Sequence, residues 1–263
     1  MKRRLSALAL VMSLMLLSVQ PVIAIVYGSP DTGNTYSNVG ALIVVDGANR
    51  QQACTGTIIR DGAEDAKATG LFLTAAHCLG SYIAGGNVYI TFGTDLSGAI
   101  YKVAAGFPHP KYNWRQANPY DVGIVTFDAK TDIGPASVAG VGEFTRKQLR
   151  KSRFVTAGYG VTRDDKKQAS QGIDWDNTLR YSAEQSVTSV QKAWLTLAMN
   201  SRAVENGGTC YGDSGGPHFD KHTKDIVSIT VTGDRFCKAL DKTYRVDTPW
   251  VQKWLSTEFG YQP

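Results

Sequence analysis

The residues best suited to chemistry lie in one glycine-rich stretch, residues 207–217, with the sequence GGTCYGDSGGP around Ser214. Glycines permit sharp turns and let a ligand approach the backbone closely. If Ser214 attacks a carbonyl group, the N–H groups of Gly212 and Ser214 can both point at the oxygen that becomes negative, as an oxyanion hole requires. A tight turn with a solvated serine has a similar sequence, so the stretch needs partners elsewhere in the chain.

Two other positions supply candidate partners for a serine nucleophile. His77 ends an apolar run and precedes Cys78. The strand before it and a probable disulfide at Cys78 would both fix the position of the imidazole, as a general base requires. Asp121 directly precedes another apolar run, and a carboxylate that accepts from His77 would set its tautomer and stabilise the imidazolium. Alone, each residue also fits a structural role at the end of a strand. The order His77, Asp121, Ser214 along one chain favours catalysis.

Short apolar and β-branched runs, separated by Gly, Asn, Asp and Pro, make up most of the chain that must position these residues. Runs at this spacing predict an all-β sandwich or barrel. They form two sets on either side of residues 131–152, a segment typical of a connector between two β-domains. The runs are residues 39–45, 57–60, 71–75, 88–92, 100–104 and 122–127, then 154–157, 178–187, 193–199, 225–232 and 244–247.

The C-terminal end has a helical pattern instead. Thr248 can act as the N-cap of a helix whose first residue is Pro249, which is a preferred arrangement. An apolar stripe at helical spacing follows, made of Val251, Trp254, Leu255 and Phe259. We therefore expect a structural helix over residues 249–259, packed on the second β-domain.

Residues 1–24 have the features of a secretory signal peptide: basic residues at positions 2–4, an apolar run over 5–17 and Ala24 at the end. The run is too short for a spanning helix, and a membrane anchor is the less favoured alternative. We expect a secreted protein, extracellular or periplasmic, with no stable membrane anchor. Without the three signal charges, the net charge of +5 becomes +2, which favours no nucleic-acid partner.

Four cysteines, an even number, predict two disulfides in a secreted chain. Three pairings are possible, and sequence order and loop length favour Cys54–Cys78 and Cys210–Cys237. A metal site is the alternative, but the sequence contains no Cys-x-x-Cys motif and no clustered histidines. We expect neither a metal ion nor another cofactor.

These motifs together resemble those of the trypsin-like serine proteases, which have the chymotrypsin fold. Residues 74–78 (TAAHC) and 212–217 (GDSGGP) match the two signature motifs of that family without a mismatch. Residues 121–124 (DVGI) are similar to its D-I-A-L stretch, with conservative changes. The resemblance extends from Ile25 to the predicted C-terminal helix.

The resemblance implies two six-stranded antiparallel β-barrels, with the active site in the cleft between them and a C-terminal α-helix. Residues 25–140 would form the first barrel and residues 141–263 the second, which carries the substrate pocket. It further implies that His77 is the general base, Asp121 its orienting carboxylate and Ser214 the nucleophile. The oxyanion hole would then consist of the Gly212 and Ser214 N–H groups, and the two disulfides would brace the histidine loop and the pocket.

The start of the predicted mature chain is similar to the N-terminus that activates members of this family. Residues 25–28 read IVYG, in which Tyr27 replaces the usual glycine. The resemblance implies that the ammonium group of Ile25 pairs with Asp213, the residue before the nucleophile. Because Ile25 directly follows the predicted signal cleavage site after Ala24, we expect signal peptidase to create the activating terminus without a zymogen stage.

The resemblance places Gly208, Thr209 and Gly233 in the substrate pocket. Trypsins carry Asp where this chain has Gly208, so a tryptic preference is not implied, and Gly233 leaves the mouth open to a sizeable side chain. Asp241 and Lys242 fall on the far wall with unknown orientation. An inward Asp241 would favour basic side chains and an inward Lys242 acidic ones. With both outside, the pocket is neutral, and this is the case that we expect.

The sequence predicts a secreted serine endopeptidase that acts through an acyl-enzyme, and two other functions compete with this prediction. The α/β-hydrolase elbow also fits Gly212-x-Ser214-x-Gly216, but that fold needs strand–helix alternation and an acid and a histidine in order after the serine. A catalytically silent binding or adhesion protein on a protease fold stays open, since fold alone does not secure function. For the endopeptidase we expect protein or peptide substrates, possible protein inhibitors and a monomer.

Overall fold

The computed structural model describes residues 25–63, 69–80, 83, 85–163, 167, 169–200 and 206–263, so the predicted signal peptide lies outside the described residues. Its strands are β1 (Ser29–Pro30), β2 (Val39–Asp46), β3 (Asn49–Arg60), β4 (Gly70–Thr74), β5 (Val88–Thr91), β6 (Ile100–Lys102), β7 (Ala105–Pro108), β8 (Gly123–Phe127), β9 (Arg153–Gly158), β10 (Thr162–Arg163), β11 (Ile173–Asp174), β12 (Tyr181–Val190), β13 (Trp194–Ala198), β14 (Pro217–Asp220), β15 (Ile226–Gly233) and β16 (Leu240–Arg245). Its α-helices are α1 (Arg146–Leu149) and α2 (Pro249–Phe259).

Fourteen of the strands form two seven-stranded antiparallel sheets that correspond to the two predicted sets, and β10 and β11 pair as a separate two-stranded sheet. The first has the order β6-β5-β2-β3-β4-β8-β7 and stays open at its edges. The second has the order β1-β12-β13-β16-β15-β14-β9, and a further pairing of β12 with β9 closes six of these strands into a barrel. The predicted all-β fold is confirmed, with one closed six-stranded barrel beside a half-barrel.

The short strand β1 belongs to the second sheet although it lies at the start of the described chain. Ser29 pairs with Ser182 and Pro30 with Tyr181, both on β12. The first residues of the predicted mature chain therefore pack against the sheet that also carries Ser214. This contact places the N-terminal segment beside the glycine-rich loop.

The helix α2 has the predicted bounds, with Gly260 in the left-handed conformation at its C-cap. Thr248 occupies the N-cap position, but its side chain makes no capping hydrogen bond, contrary to the expected cap. Aromatic contacts also join the helix to the first sheet, because Trp254 packs on His109 and Phe259 on Phe107. The helix thus spans both halves rather than the second alone.

The described helices include none that is long and apolar enough to cross a membrane. The largest apolar core cluster of the described residues also takes side chains from both halves of the molecule. It includes Phe72 and Ile124 from the first sheet, Phe219 and Ile229 from the second, and Leu255 from α2. The two sheets are consequently packed against each other over a shared interior.

Arg180 forms a second connection between the sheets. Its side chain is fully buried, and its Nε lies 2.9 Å from Oδ2 of Asp31. The same guanidinium donates to the carbonyl oxygens of Val39 and Phe92, on the first sheet, and to the hydroxyl of Tyr159. A planar guanidinium with five N–H donors suits this role because it can satisfy several acceptors at once.

Candidate active site

The pairing of β4 with β8 brings His77 and Asp121 together. Thr74, the last residue of β4, lies opposite Gly123, the first residue of β8. His77 lies in the 3₁₀ turn Ala76–Cys78 that follows β4, and Asp121 precedes β8. Because antiparallel strands place the end of one beside the start of the next, residues 44 apart in sequence become neighbours.

Asp121 binds His77 through both carboxylate oxygens. Oδ2 lies 2.8 Å from the ring nitrogen Nδ1, and Oδ1 accepts the backbone N–H of His77 at 2.9 Å. An ionised carboxylate can only accept, so the proton of the neutral ring is on Nδ1 and Nε2 is left as the base. Asp121 is 4% exposed and the side chain of His77 is 32% exposed, so the histidine is accessible while its partner is shielded.

Ser214 belongs to the tight loop before β14, in the second half of the molecule. Gly212 and Gly215 have positive φ angles of 94° and 82°, which favour glycine. The loop is fixed to the first sheet because the carbonyl oxygen of Ser214 accepts the N–H of Thr55 at 2.9 Å. The same oxygen lies 3.7 Å from Sγ of Cys78, the residue after His77. The structure therefore brings Ser214 to the histidine loop.

The candidate oxyanion donors are free to bind a ligand. Neither the N–H of Gly212 nor that of Ser214 donates to an acceptor among the described residues. The carbonyl oxygen of Gly212 is held from the first sheet by Nε2 of Gln52 at 2.8 Å and by Oγ1 of Thr55 at 3.0 Å. Sequence reasoning missed Gln52 and Thr55, and the only signal for them is their proximity to Cys54.

Both disulfides are present in the structure, as Cys54–Cys78 and Cys210–Cys237. The first joins β3 to the histidine turn, and the second joins the serine loop to the segment after β15. Cys54, His77 and Cys78 bring possible metal-ligand atoms within 4.8 Å of one another. The two sulfur atoms of this cluster are bonded to each other, so they are not thiolates that could hold a metal ion.

The carboxylate of Asp213 is fully buried behind the serine loop. Oδ1 accepts the N–H of Gly160 at 2.8 Å and Oδ2 accepts that of Cys210 at 2.9 Å. Burial raises the pKa of Asp213 to about 7, because these two hydrogen bonds only partly offset the lost hydration. A buried carboxylate of this kind favours a cationic partner.

The segment after Ala24 is docked close to Asp213. Ile25 is fully buried against Tyr181, and Tyr181 pairs in the sheet with Gly158, whose position is in contact with the Asp213 carboxylate. The next residue, Val26, accepts the N–H of Gly208 at 2.9 Å. The predicted partners Ile25 and Asp213 therefore lie in the same region of the second half.

A cavity of about 150 Å³ opens beside Ser214 and holds two of the three predicted pocket residues, Thr209 and Gly233. Gly208 is not among the lining residues; a Cβ atom at this position would lie 2.5 Å from Cβ of Met199 and 2.7 Å from Nε2 of Gln185. The backbone there is packed too closely for any side chain. The lining also contains Thr230 and Val231 of β15, which sequence reasoning did not single out.

A wider cavity of about 450 Å³ lies on the other side of the histidine. His77 and Asp121 line it together with Val231, which also lines the smaller cavity. The two cavities therefore share part of their wall on β15. Another cavity, of about 610 Å³ and bordered by Arg60 and helix α2, contains none of the catalytic candidates. The chemistry rather than the volume identifies the site.

Two features characterise the serine peptidases of the chymotrypsin fold. One is a histidine oriented by a buried carboxylate, and the other is a serine in a glycine-rich loop that belongs to the opposite β-sheet. Sequence comparison assigns the family: the family model described as Trypsin matches residues 25–255, and the chain belongs to the trypsin family. A search of curated proteins finds no match to this chain. A peptidase domain of this family acts on proteins or peptides.

Proposed function

We propose that the protein is a secreted serine endopeptidase in which Ser214, His77 and Asp121 form the catalytic triad. The observation that carries this proposal is the pair of hydrogen bonds that Asp121 accepts from His77, which fixes the tautomer that a general base needs. The two disulfides and the absence of a spanning helix among the described residues are compatible with secretion.

The proposed reaction proceeds through an acyl-enzyme. Nε2 of His77 takes the proton of Ser214 as its Oγ attacks the scissile carbonyl carbon, and the N–H groups of Gly212 and Ser214 stabilise the resulting oxyanion. The imidazolium then gives this proton to the leaving amine as the carbon–nitrogen bond breaks. A water molecule, activated by the same histidine, hydrolyses the acyl-enzyme and restores Ser214.

Activation is proposed to require only the removal of residues 1–24. The new ammonium group at Ile25 would then pair with the buried carboxylate of Asp213. Two observations support this pair: Ile25 is fully buried against the second sheet, and no cation of the described residues contacts the Asp213 carboxylate. N-terminal sequencing of the secreted protein should give Ile25-Val26-Tyr27, and any other start would contradict activation by signal peptidase alone.

The decisive test is cleavage of a mixed peptide library by the secreted protein. Wild type should cut internal peptide bonds, whereas Ser214→Ala should lose nearly all activity. Ser97→Ala, a change at an exposed serine, is the matched control and should keep full activity. Equal product formation by wild type and Ser214→Ala would contradict the triad.

The alternative of a silent binding or adhesion protein makes the opposite prediction in the same assay. A chain that starts at Ile25 and still cleaves nothing would favour that alternative. The structure offers no specific support for it, because Asp121 accepts from His77 and neither oxyanion N–H group has an acceptor in the part of the chain that the structure describes. The endopeptidase is therefore the function that the geometry supports best.

A further inference from the structure

Asp241 and Lys242, whose orientation the sequence left open, point in opposite directions from β16. The side chain of Asp241 is fully buried. Lys242 instead places its Nζ 4.4 Å from the ring centre of Trp194 and lines the wider cavity beside His77. Of these two charged side chains, only the carboxylate enters the interior behind the serine loop.

The carboxylate of Asp241 has few polar partners for a buried charge. Oδ2 accepts Nε2 of Gln185 at 3.1 Å and the N–H of Thr209 at 3.4 Å. Oδ1 has no hydrogen-bond partner among the described residues. Because burying an ionised carboxylate is costly unless its oxygens are paired, this site is incomplete without a further donor.

His218 is the nearest side chain that could supply a positive charge. Its Nε2 lies 3.6 Å from Oδ2 of Asp241 and 3.0 Å from Oγ1 of Thr230. Burial lowers the pKa of His218, and the opposing effect of Asp241 is smaller. The ring is therefore neutral at neutral pH and supplies no positive charge to the Asp241 carboxylate.

The Asp241 carboxylate does not itself line the cavity beside Ser214, but two of its neighbours do. Thr209 donates its N–H to Asp241, Thr230 is hydrogen-bonded to His218, and both threonines line that cavity. The close packing at Gly208 leaves no room for an acidic side chain there, so the carboxylate at this end of the pocket comes from β16 instead. A side chain that enters past Ser214 is thus directed towards a buried anion.

We propose that Asp241 is a specificity-determining residue that selects a lysine or arginine side chain immediately before the scissile bond. The proposal rests on the peptidase function given above and replaces the neutral pocket expected from the sequence. An ammonium or guanidinium group would supply the missing donor, and Thr209 and Thr230 would offer it hydroxyl oxygens. His218 is a positioning residue that holds Thr230 and borders the carboxylate without neutralising it.

The first test compares two peptides that differ only in Lys or Leu before the cleaved bond. Wild type should prefer the lysine peptide in kcat/KM, and Asp241→Asn should reduce the Lys/Leu ratio about 10- to 100-fold, since a hydrogen bond to a charged group contributes about 1.5–3 kcal/mol. Asp132→Asn, at an exposed carboxylate that lines neither cavity, is the matched control and should keep the ratio. A wild-type preference for leucine would overturn the inference while leaving the peptidase function intact.

The second test does not depend on catalysis or on a buried substitution. Calorimetric titration of Ser214→Ala should show that benzamidine, a flat amidinium cation, binds at least about 10-fold more tightly than its neutral analogue benzamide. Competition with the lysine peptide in wild type should place the binding in the same pocket. Equal affinity for both compounds would overturn the inference, even if the protein cleaved no peptide at all.

Discussion

Asp121 and His77 are joined at two points, because one oxygen of the carboxylate binds the ring and the other binds the backbone N–H of the same residue. The ring can therefore neither turn over nor move away from β4 without breaking a bond to Asp121. Position and tautomer of the proposed general base are set by a single side chain.

Replacing Asp121 with Asn tests this relationship. The amide would still fit, but its NH₂ group would face Nδ1 and favour the wrong tautomer, so kcat should fall by about 10³- to 10⁴-fold. The measurement is steady-state hydrolysis of a peptide near neutral pH. Asp132→Asn, at a side chain that is 76% exposed, is the control and should keep normal kcat. A loss under tenfold for Asp121→Asn would exclude the proposed role.

Replacing Arg180 with Met tests the connection between the two sheets. The change removes the guanidinium and leaves the buried carboxylate of Asp31 unpaired, so the free energy of unfolding should fall by about 3–5 kcal/mol. Denaturant unfolding gives the value. The double variant Arg180→Met with Asp31→Asn should recover part of the loss, because no buried charge is left unpaired. Strictly additive losses would show that the pair is not coupled.

The buried carboxylate of Asp213 predicts a pH-dependent stability when no ammonium group is available. Its pKa is raised from the usual 3.8 to about 7, so the folded state favours the protonated form. In a chain extended by one methionine before Ile25, stability should be highest below about pH 4, fall by up to about 1.4 kcal/mol per pH unit as the pH rises to 7, and level off above.

In the chain that starts at Ile25, the ammonium group compensates the carboxylate, so this decline should be much smaller. Asp213→Asn in the extended chain should also abolish it. Unfolding midpoints at several pH values for the three proteins provide the measurement. Identical profiles for the extended and the Ile25 chains would argue against an Ile25–Asp213 pair.

Protonation of His218 should weaken the proposed preference for cations. Burial lowers its pKa below 6.5, and Asp241 is the only titratable group of the described residues that alters this pKa in the opposite direction. As the pH falls, a protonated His218 would pair with Asp241, and the Lys/Leu ratio of kcat/KM should decrease. Changes in the catalytic step that both peptides share act on both rates equally and cancel in the ratio.

His218→Gln removes the titrating group and should give a Lys/Leu ratio that stays constant over the same pH range. Kinetics of both peptides from pH 8 to pH 5 provide the comparison. A wild-type ratio that is equally constant would mean that His218 does not act on the pocket.

The catalytic candidates were predictable because short local motifs carry them. The TAAHC and GDSGGP sequences identify His77 and Ser214, and alternating apolar runs indicate the β-fold without any knowledge of strand order. The closure of only one sheet was not predictable, because it depends on the pairing of β12 with β9, and no local pattern encodes that contact.

The orientation of Asp241 was not predictable for a different reason. Hydrophobicity alone would place Leu240 inside and Asp241 outside, yet Leu240 is 44% exposed and Asp241 is buried. A register shift between Thr230 and Thr232 on the neighbouring strand adds to the ambiguity. Likewise, a fully buried Arg180 contradicts the general preference of arginine for the surface, and only its long-range partners explain it.

The hydrogen bond from Thr55 to the carbonyl oxygen of Ser214 has a consequence for how the molecule can be divided. A cut in the connector at residues 131–152 would yield two polypeptides, one with the base and the other with the nucleophile. Neither fragment alone would hold the serine loop in shape, because its anchor is on the other piece. Activity would return only when the fragments reassociate. The two halves therefore depend on each other for a folded active site and do not function as independent domains.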